Sequence, residues 1–176
     1  MAKYTIDPAH SSITFSVRHM MFAKVRGRFT KWTAELQHDA ADLSKTTVTA
    51  TIDTASIDTN EPQRDGHLRS PDFFDVANHP SITFASRHVE GRADKHYAVT
   101  GDLTIHGVTK SIVLDVEEVG RGKDPWGHTR VLFAAKGAVD RRDFGLQWNQ
   151  VLETGGVLVG EKVEFEVDVE ALEAAA

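Results

Sequence analysis

The 176-residue chain is 40% apolar and 26% charged, with a formal charge of -6, nine histidines and no cysteine; these are the proportions of one ordinary globular domain. An acidic chain with an isoelectric point near 5.8 lacks the clustered Lys and Arg of a nucleic-acid binder, and the absence of cysteine excludes disulfides, thiolate metal sites and a cysteine nucleophile. No stretch reaches the ~20 apolar residues of a spanning helix, and the opening MAKYTIDPAHSS has no signal-peptide pattern, so stable membrane insertion is not expected and a cytoplasmic location is.

Apolar and polar residues alternate along most of the chain, which puts every second side chain on one face of a strand. Ile13, Phe15 and Val17 share a face opposite Thr14, Ser16 and Arg18, and Val25, Gly27 and Phe29 follow in register towards Trp32 and Leu36. Val48, Ala50 and Ile52 alternate with threonines, which suit a pleated outer surface. The segment from Asn60 to Val76 breaks the pattern. With a possible cap at Asn60, Pro62 in the first turn, and Leu68, Phe73 and Phe74 beyond, it predicts a short helix followed by a second helix or a turn capped by Ser70.

Alternation resumes at Ile82 and Phe84, runs from Tyr97 through Val99, Gly101, Leu103 and Ile105 to a turn at His106-Gly107, and returns through Ile112, Leu114 and Val116. Val131, Phe133, Ala135, Gly137 and Val139 form another row. The last strand sets Val163, Phe165, Val167 and Val169 against Glu164, Glu166, Asp168 and Glu170. Turns are expected at Gly91 to Asp94, Gly120 to Gly127 and Gly155-Gly156, and a frayed tail at residues 172–176 after a domain spanning 1–171.

These elements predict an all-β fold: an extended antiparallel barrel of about eight strands, with a short helical insertion near residues 60–76 lying across one end. Gly27, Gly101, Ala135 and Gly137 in the inward rows would permit curvature or leave internal volume. Alternation alone leaves a filled and a hollow interior equally open.

Sites of chemistry are sparse. The nine histidines include no His-x-x-x-His or His-x-His pair, so backbone-bonded histidines are expected rather than metal ligands. Asp65, Asp72 and Asp75 read as helix-capping carboxylates rather than a catalytic pair. No Gly-x-Ser-x-Gly elbow, P-loop or dinucleotide fingerprint is present, and Asp143-Phe144-Gly145 reads as a turn at a strand end.

Several blocks go beyond generic β pattern. Tyr4-Thr-Ile-Asp7-Pro-Ala-His10, Arg64-Asp-Gly-His67-Leu-Arg-Ser-Pro71-Asp-Phe-Phe-Asp75-Val76, Gly101-Asp-Leu-Thr-Ile-His106-Gly-Val-Thr109 and Arg142-Asp-Phe-Gly-Leu146 resemble the YceI-like polyisoprenoid-binding family over nearly the whole chain. The resemblance implies a lipocalin-like barrel with a long internal pocket for an isoprenoid such as a polyprenyl diphosphate or an isoprenoid quinone. It also implies a binding role rather than catalysis, no obligatory cofactor, and a homodimer. Under it, Phe15, Val17, Phe29, Ile82, Phe84, Leu103, Phe133 and Phe165 would line the tube, with His10, His19, Arg141 and Trp148 at its mouth or on the head group. Two other readings remain: an enzyme using His10 or His19 as acid or base on a bound lipid, and an interaction domain with a solid core.

Overall fold

The computed structural model describes residues 2–39, 41–150, 152 and 158–174. In chain order the elements are β1 (Ala2–Ile6), β2 (Ser12–His19), β3 (Ala23–Phe29), β4 (Trp32–His38), β5 (Thr47–Asp53), β6 (Ile57–Asp58), α1 (Pro62–Arg69), β7 (Ser81–Ala93), β8 (His96–Ile105), β9 (Val108–Lys123), β10 (Thr129–Asp140) and β11 (Val159–Glu173).

The eleven segments make eight strands. β1 and β2 both lie antiparallel to β11, with Tyr4 opposite Glu173 and Phe15 opposite Phe165, so they are halves of one strand interrupted by a short turn at Pro8–His10. β3 and β4 continue one another in the same way, against β2 and β1, and β6 and β5 against β3 and β4. Every later strand pairs with its chain neighbour, and β11 returns to the first, closing the ring. The result is the predicted closed, lipocalin-like, antiparallel barrel. β1 was not legible as a strand, because only Tyr4 and Ile6 carry its inward row.

The inward rows follow simple alternation until a bulge shifts them. In β7 the register slips between Ser86 and His88, so Phe84 and then Val89 are buried while His88 faces solvent. In β9, Glu118 lies opposite Phe133 but Gly120 opposite Leu132, leaving Val119 exposed as the extra residue. Glu118 is largely buried, and the bulge brings Arg121 onto its face, 2.8 Å away.

Gly27, Gly101 and Gly137 do not leave the internal volume that was one of the two roles expected of them. Across four neighbouring strands Gly27 stands opposite Phe15, Phe15 opposite Phe165, and Phe165 opposite Gly137. A Cβ on Gly27 or Gly137 would collide with the ring of Phe15 or Phe165, and one on Gly101 with Phe84. The glycines leave no empty volume; phenylalanine rings lie over their backbone.

Several boundaries differ from the sequence reading. β9 runs through Gly120 and Gly122 to Lys123, so its turn starts at Asp124, where the carboxylate accepts the N–H groups of Trp126 and His128. β11 continues to Glu173, so Leu172 and Glu173 belong to the strand that binds β1 rather than to a frayed tail. The Gly155-Gly156 turn and residues 175 and 176 lie outside the described residues. Helix α1 is capped by the Glu61 carboxylate, which accepts from Gln63 and Arg64 N–H, and Asn60 instead takes a left-handed conformation. After Arg69 the chain makes turns rather than a second helix, the Ser70 hydroxyl accepting from Asp72 N–H.

Candidate functional site

The barrel encloses a cavity of about 440 Å³ to which all eleven strand segments contribute, and its lining is almost wholly apolar. The interior is therefore hollow. Phe15, Val17, Phe29, Ile82, Phe84, Leu103, Phe133 and Phe165 all line it, as do His19, Arg141 and Trp148. The longest strands, such as the 15-residue β11, are about 50 Å long at ~3.3 Å per residue, or roughly 38 Å along the axis at a tilt of ~40°. The shape is a tube.

One predicted site residue lies elsewhere. His10 sits outside the barrel in the turn between β1 and β2, where its Nδ1 lies 3.0 Å from the Asp7 carboxylate and most of the ring is exposed. It does not line the cavity. The cause is the interruption of the first strand: even positions (Tyr4, Ile6) face inward in β1 and odd ones (Ile13, Phe15, Val17) in β2, and the turn at Pro8–His10 that changes the parity carries His10 outside.

The two ends of the tube are built differently. At the end formed by the start of β1, Tyr4, Val131 and Ala171 are fully buried and pack with Leu36, Phe133 and Val169. Beside them the Arg121 guanidinium donates to Glu118, at 2.9 Å, and to the Tyr4 hydroxyl, at 3.5 Å. His38 lines the cavity here, its Nδ1 3.2 Å from the Thr46 hydroxyl and its ring edge-on to Tyr97. Burial pushes the His38 imidazole below its ordinary value, the Arg121 charge adding to that and Glu118 opposing it.

The opposite end is covered by α1 and the turns after it. Arg64, His67 and Leu68 stand at positions i, i+3 and i+4 of the helix, one face, and all three line the cavity. His67 packs edge-on against Phe73 and Trp148, with ring centres 5.1 and 4.7 Å away, and its Nε2 lies 2.9 Å from Asp72. Arg64 is held by Thr59: its Nε donates to the hydroxyl and its Nη2 to the carbonyl, each at 2.7 Å. The Thr59 hydroxyl in turn donates to the buried Asp65 carboxylate. Asp65 is thus not the helix cap that sequence suggested; its carboxylate accepts from the Thr59 N–H and hydroxyl. Among the described residues no carboxylate pairs with the Arg64 guanidinium, whose Nη1 face remains free to accept an anion.

Arg141, the cation read from sequence as a head-group contact, is committed to structure. It is buried, and its guanidinium donates to the carbonyls of Leu146, Trp148, Gly160 and Val159 at 2.6 to 3.3 Å. It ties the segment after β10 to the start of β11. Trp148 is thereby fixed at the cavity wall, and Phe144 is buried beneath the turn that ends in the left-handed Gly145. His19, at the end of β2, lines the cavity next to a hairpin tip that exposes Met20, Met21 and Phe22.

Sequence reasoning missed Arg64 and His67. The signal was present in the helical spacing of Arg64, His67 and Leu68 within the one segment that departs from β alternation.

Comparison with known proteins places this architecture. A UPF0312 protein of Staphylococcus epidermidis is 39% identical over 171 residues, 97% of each chain. The crystal structure of the YCEI protein of Campylobacter jejuni is 31% identical, with a TM-score of 0.75 over 98% of both chains. A polyisoprenoid-binding domain of Saccharophagus degradans shares the fold at 15% identity, with a TM-score of 0.70 over 97% of this chain and 98% of that one. The model of the YceI-like domain matches residues 4–171, and the chain belongs to the YceI-like domain family.

Proposed function

We propose that this protein binds a long-chain isoprenoid lipid, chain inward and head group towards α1, and acts as a carrier, store or sequestering protein rather than as an enzyme. The observation that carries the reading is the apolar, 440 Å³ barrel interior with Arg64, a cation that no carboxylate pairs among the described residues, at its helix-covered end. The isoprenoid named for the Saccharophagus domain, which shares the fold, fits such a tube.

Magnitudes favour a long chain. At ~0.8 kcal/mol per buried CH₂, three isoprene units yield a gross gain of about 12 kcal/mol. Association costs of ~4–15 kcal/mol take back most of that. Affinity should therefore climb with each added unit until the tube is full, while the apolar wall discriminates length and shape better than chemical identity. The Arg64 fork favours a diphosphate head over a neutral quinone, because a guanidinium meets phosphate oxygens with paired, charge-assisted bonds.

Native mass spectrometry of the purified protein, with extraction and identification of the lipid from the same sample, is the primary test. A stoichiometric isoprenoid supports the reading. Protein that is repeatedly lipid-free and takes up neither added polyprenyl diphosphate nor quinone refutes it. Arg64→Met then separates the head groups: polyprenyl diphosphate affinity should fall at least tenfold and quinone affinity should be little changed.

A further inference from the structure

The spacing of histidines along the chain suggested no metal site, but the fold joins residues that sequence keeps far apart. Asp75, His79 and His106 each present one ligand atom within 4.8 Å of the others, and all three are half-buried. Asp75 and His79 belong to the turns that follow α1, and the carbonyl of Asp75 accepts the N–H of His79 at 2.9 Å. His106 is the tip of the β8–β9 turn. The rings of His79 and His106 lie 4.6 Å apart.

Neighbouring groups hold two of the three side chains. His106 Nδ1 lies 3.2 Å from the Phe144 carbonyl, which can only accept, so Nδ1 carries the proton and Nε2 is the free donor atom. The Asn78 amide donates to Asp75 Oδ2 at 2.9 Å and fixes that carboxylate. Gly107 admits the second ring: a Cβ there would stand 3.0 Å from His79 Cε1. Metal-bound histidines and carboxylates have outer partners of this kind.

We infer that Asp75, His79 and His106 form a binding site for a divalent transition-metal ion of the zinc class, which fastens the turns after α1 to the rim of the barrel. Two imidazoles and a carboxylate select zinc, cobalt or nickel over magnesium or calcium, which take oxygen ligands. In a tetrahedral site with bonds of about 2.05 Å the ligand atoms stand ~3.4 Å apart. Closing from within 4.8 Å to that spacing needs side-chain rotation and no rearrangement of the barrel. Three protein ligands leave a fourth position for water. Because Phe73 and Phe74, immediately before Asp75, line the cavity, the ion would hold the cover of the tube in place whatever the tube contains.

A second three-residue cluster among the described residues, Asp7, His10 and Glu170, is a different case. Arg130 Nη1 already sits 3.0 Å from Asp7 and 2.8 Å from Glu170, so a cation is repelled from it. This provides the control.

The test is titration of the purified protein with zinc chloride by calorimetry and with cobalt chloride by visible absorption, with thermal melts in parallel. One equivalent of either ion should bind and raise Tm. His79→Asn and His106→Asn should each weaken binding at least tenfold and abolish the rise in Tm, and His10→Asn should change neither. Asparagine suits position 106 because it tolerates the left-handed conformation there, φ 54°. The unaltered protein supplies an independent reading: paramagnetic Co²⁺ should shift the imidazole resonances of His79 and His106 and leave those of His10 and His128 in place. Absence of stoichiometric uptake, unchanged affinity in both variants, or shifts confined to other histidines would overturn the assignment.

Discussion

The two ends of the barrel close by opposite means. At the far end the strands do the closing: β1 bridges β11 and β4, and Tyr4, Val131 and Ala171 plug the ring from positions fixed by backbone ladders. At the other end the cover is a segment inserted between β6 and β7, held by side chains: Arg69 on the carbonyls of Ala55 and Ile57, and His67 against Trp148. A ladder-bound plug cannot open without breaking the sheet, whereas a side-chain-bound cover can lift as a unit. For the proposed lipid, exchange is therefore expected at the helix-covered end.

The largest expected effect tests this contrast directly. Tyr4→Ala and Phe73→Ala each remove a buried aromatic ring, one from each end, and each should cost about 3–5 kcal/mol of stability in chemical denaturation. Only Phe73→Ala should also accelerate lipid release, measured by transfer to acceptor vesicles. Equal release rates in the two variants would break the comparison.

Next in size is a pair of arginines at the helix-covered end. Arg141→Met strands four carbonyls and should cost about 3 kcal/mol, with little direct effect on which head group is preferred. Arg64→Met should cost about 1 kcal/mol or less and act on binding of an anionic head group. If Arg141→Met proved neutral in stability, its role as a clamp would be wrong.

Gly137→Val forces a side chain into the Phe165 ring and should destabilise by about 1–3 kcal/mol. The displaced ring narrows the tube at mid-length, so the longest isoprenoid retained on purification should become shorter. An unchanged chain-length profile would mean that the ring finds room elsewhere.

The smallest effect is the response of the far end to acid. His38 binds a proton more weakly in the folded than in the unfolded chain, so the stability it contributes is present above its ordinary value of 6.5 and falls as pH drops below it. At the β9–β10 turn burial opposes ionisation of Asp124, but the His128 N–H, Arg130 and the Trp126 N–H outweigh it and hold the carboxyl down at about 2. Its contribution is therefore complete above 3.8 and lost as pH falls through about 2. Melts from pH 8 to 2 should show two separate declines, the first absent in His38→Asn and the second reduced in Asp124→Asn. A single transition in every protein would remove this assignment.

The sequence by itself determined the fold class, the number of strands and most of the apolar lining. Val163 to Glu170 could fold only as a two-faced strand, because side chains alternate with period two and a barrel has one dry face. It also marked the insertion at 60–76, where the period is lost. Tertiary structure decided everything that depends on a break in that period or on contacts across the ring. The bulges at Arg87 and Val119 reverse which residues share a face, since one extra residue shifts all that follow, and so bury Val89 in place of His88 and put Arg121 on the same face as Glu118. The interruption at Pro8–His10 sends His10 outside. Arg64 and Arg141 are indistinguishable as sequence. One is left with a free face and the other is saturated by carbonyls because a guanidinium's role is set by the acceptors that the folded chain brings around it.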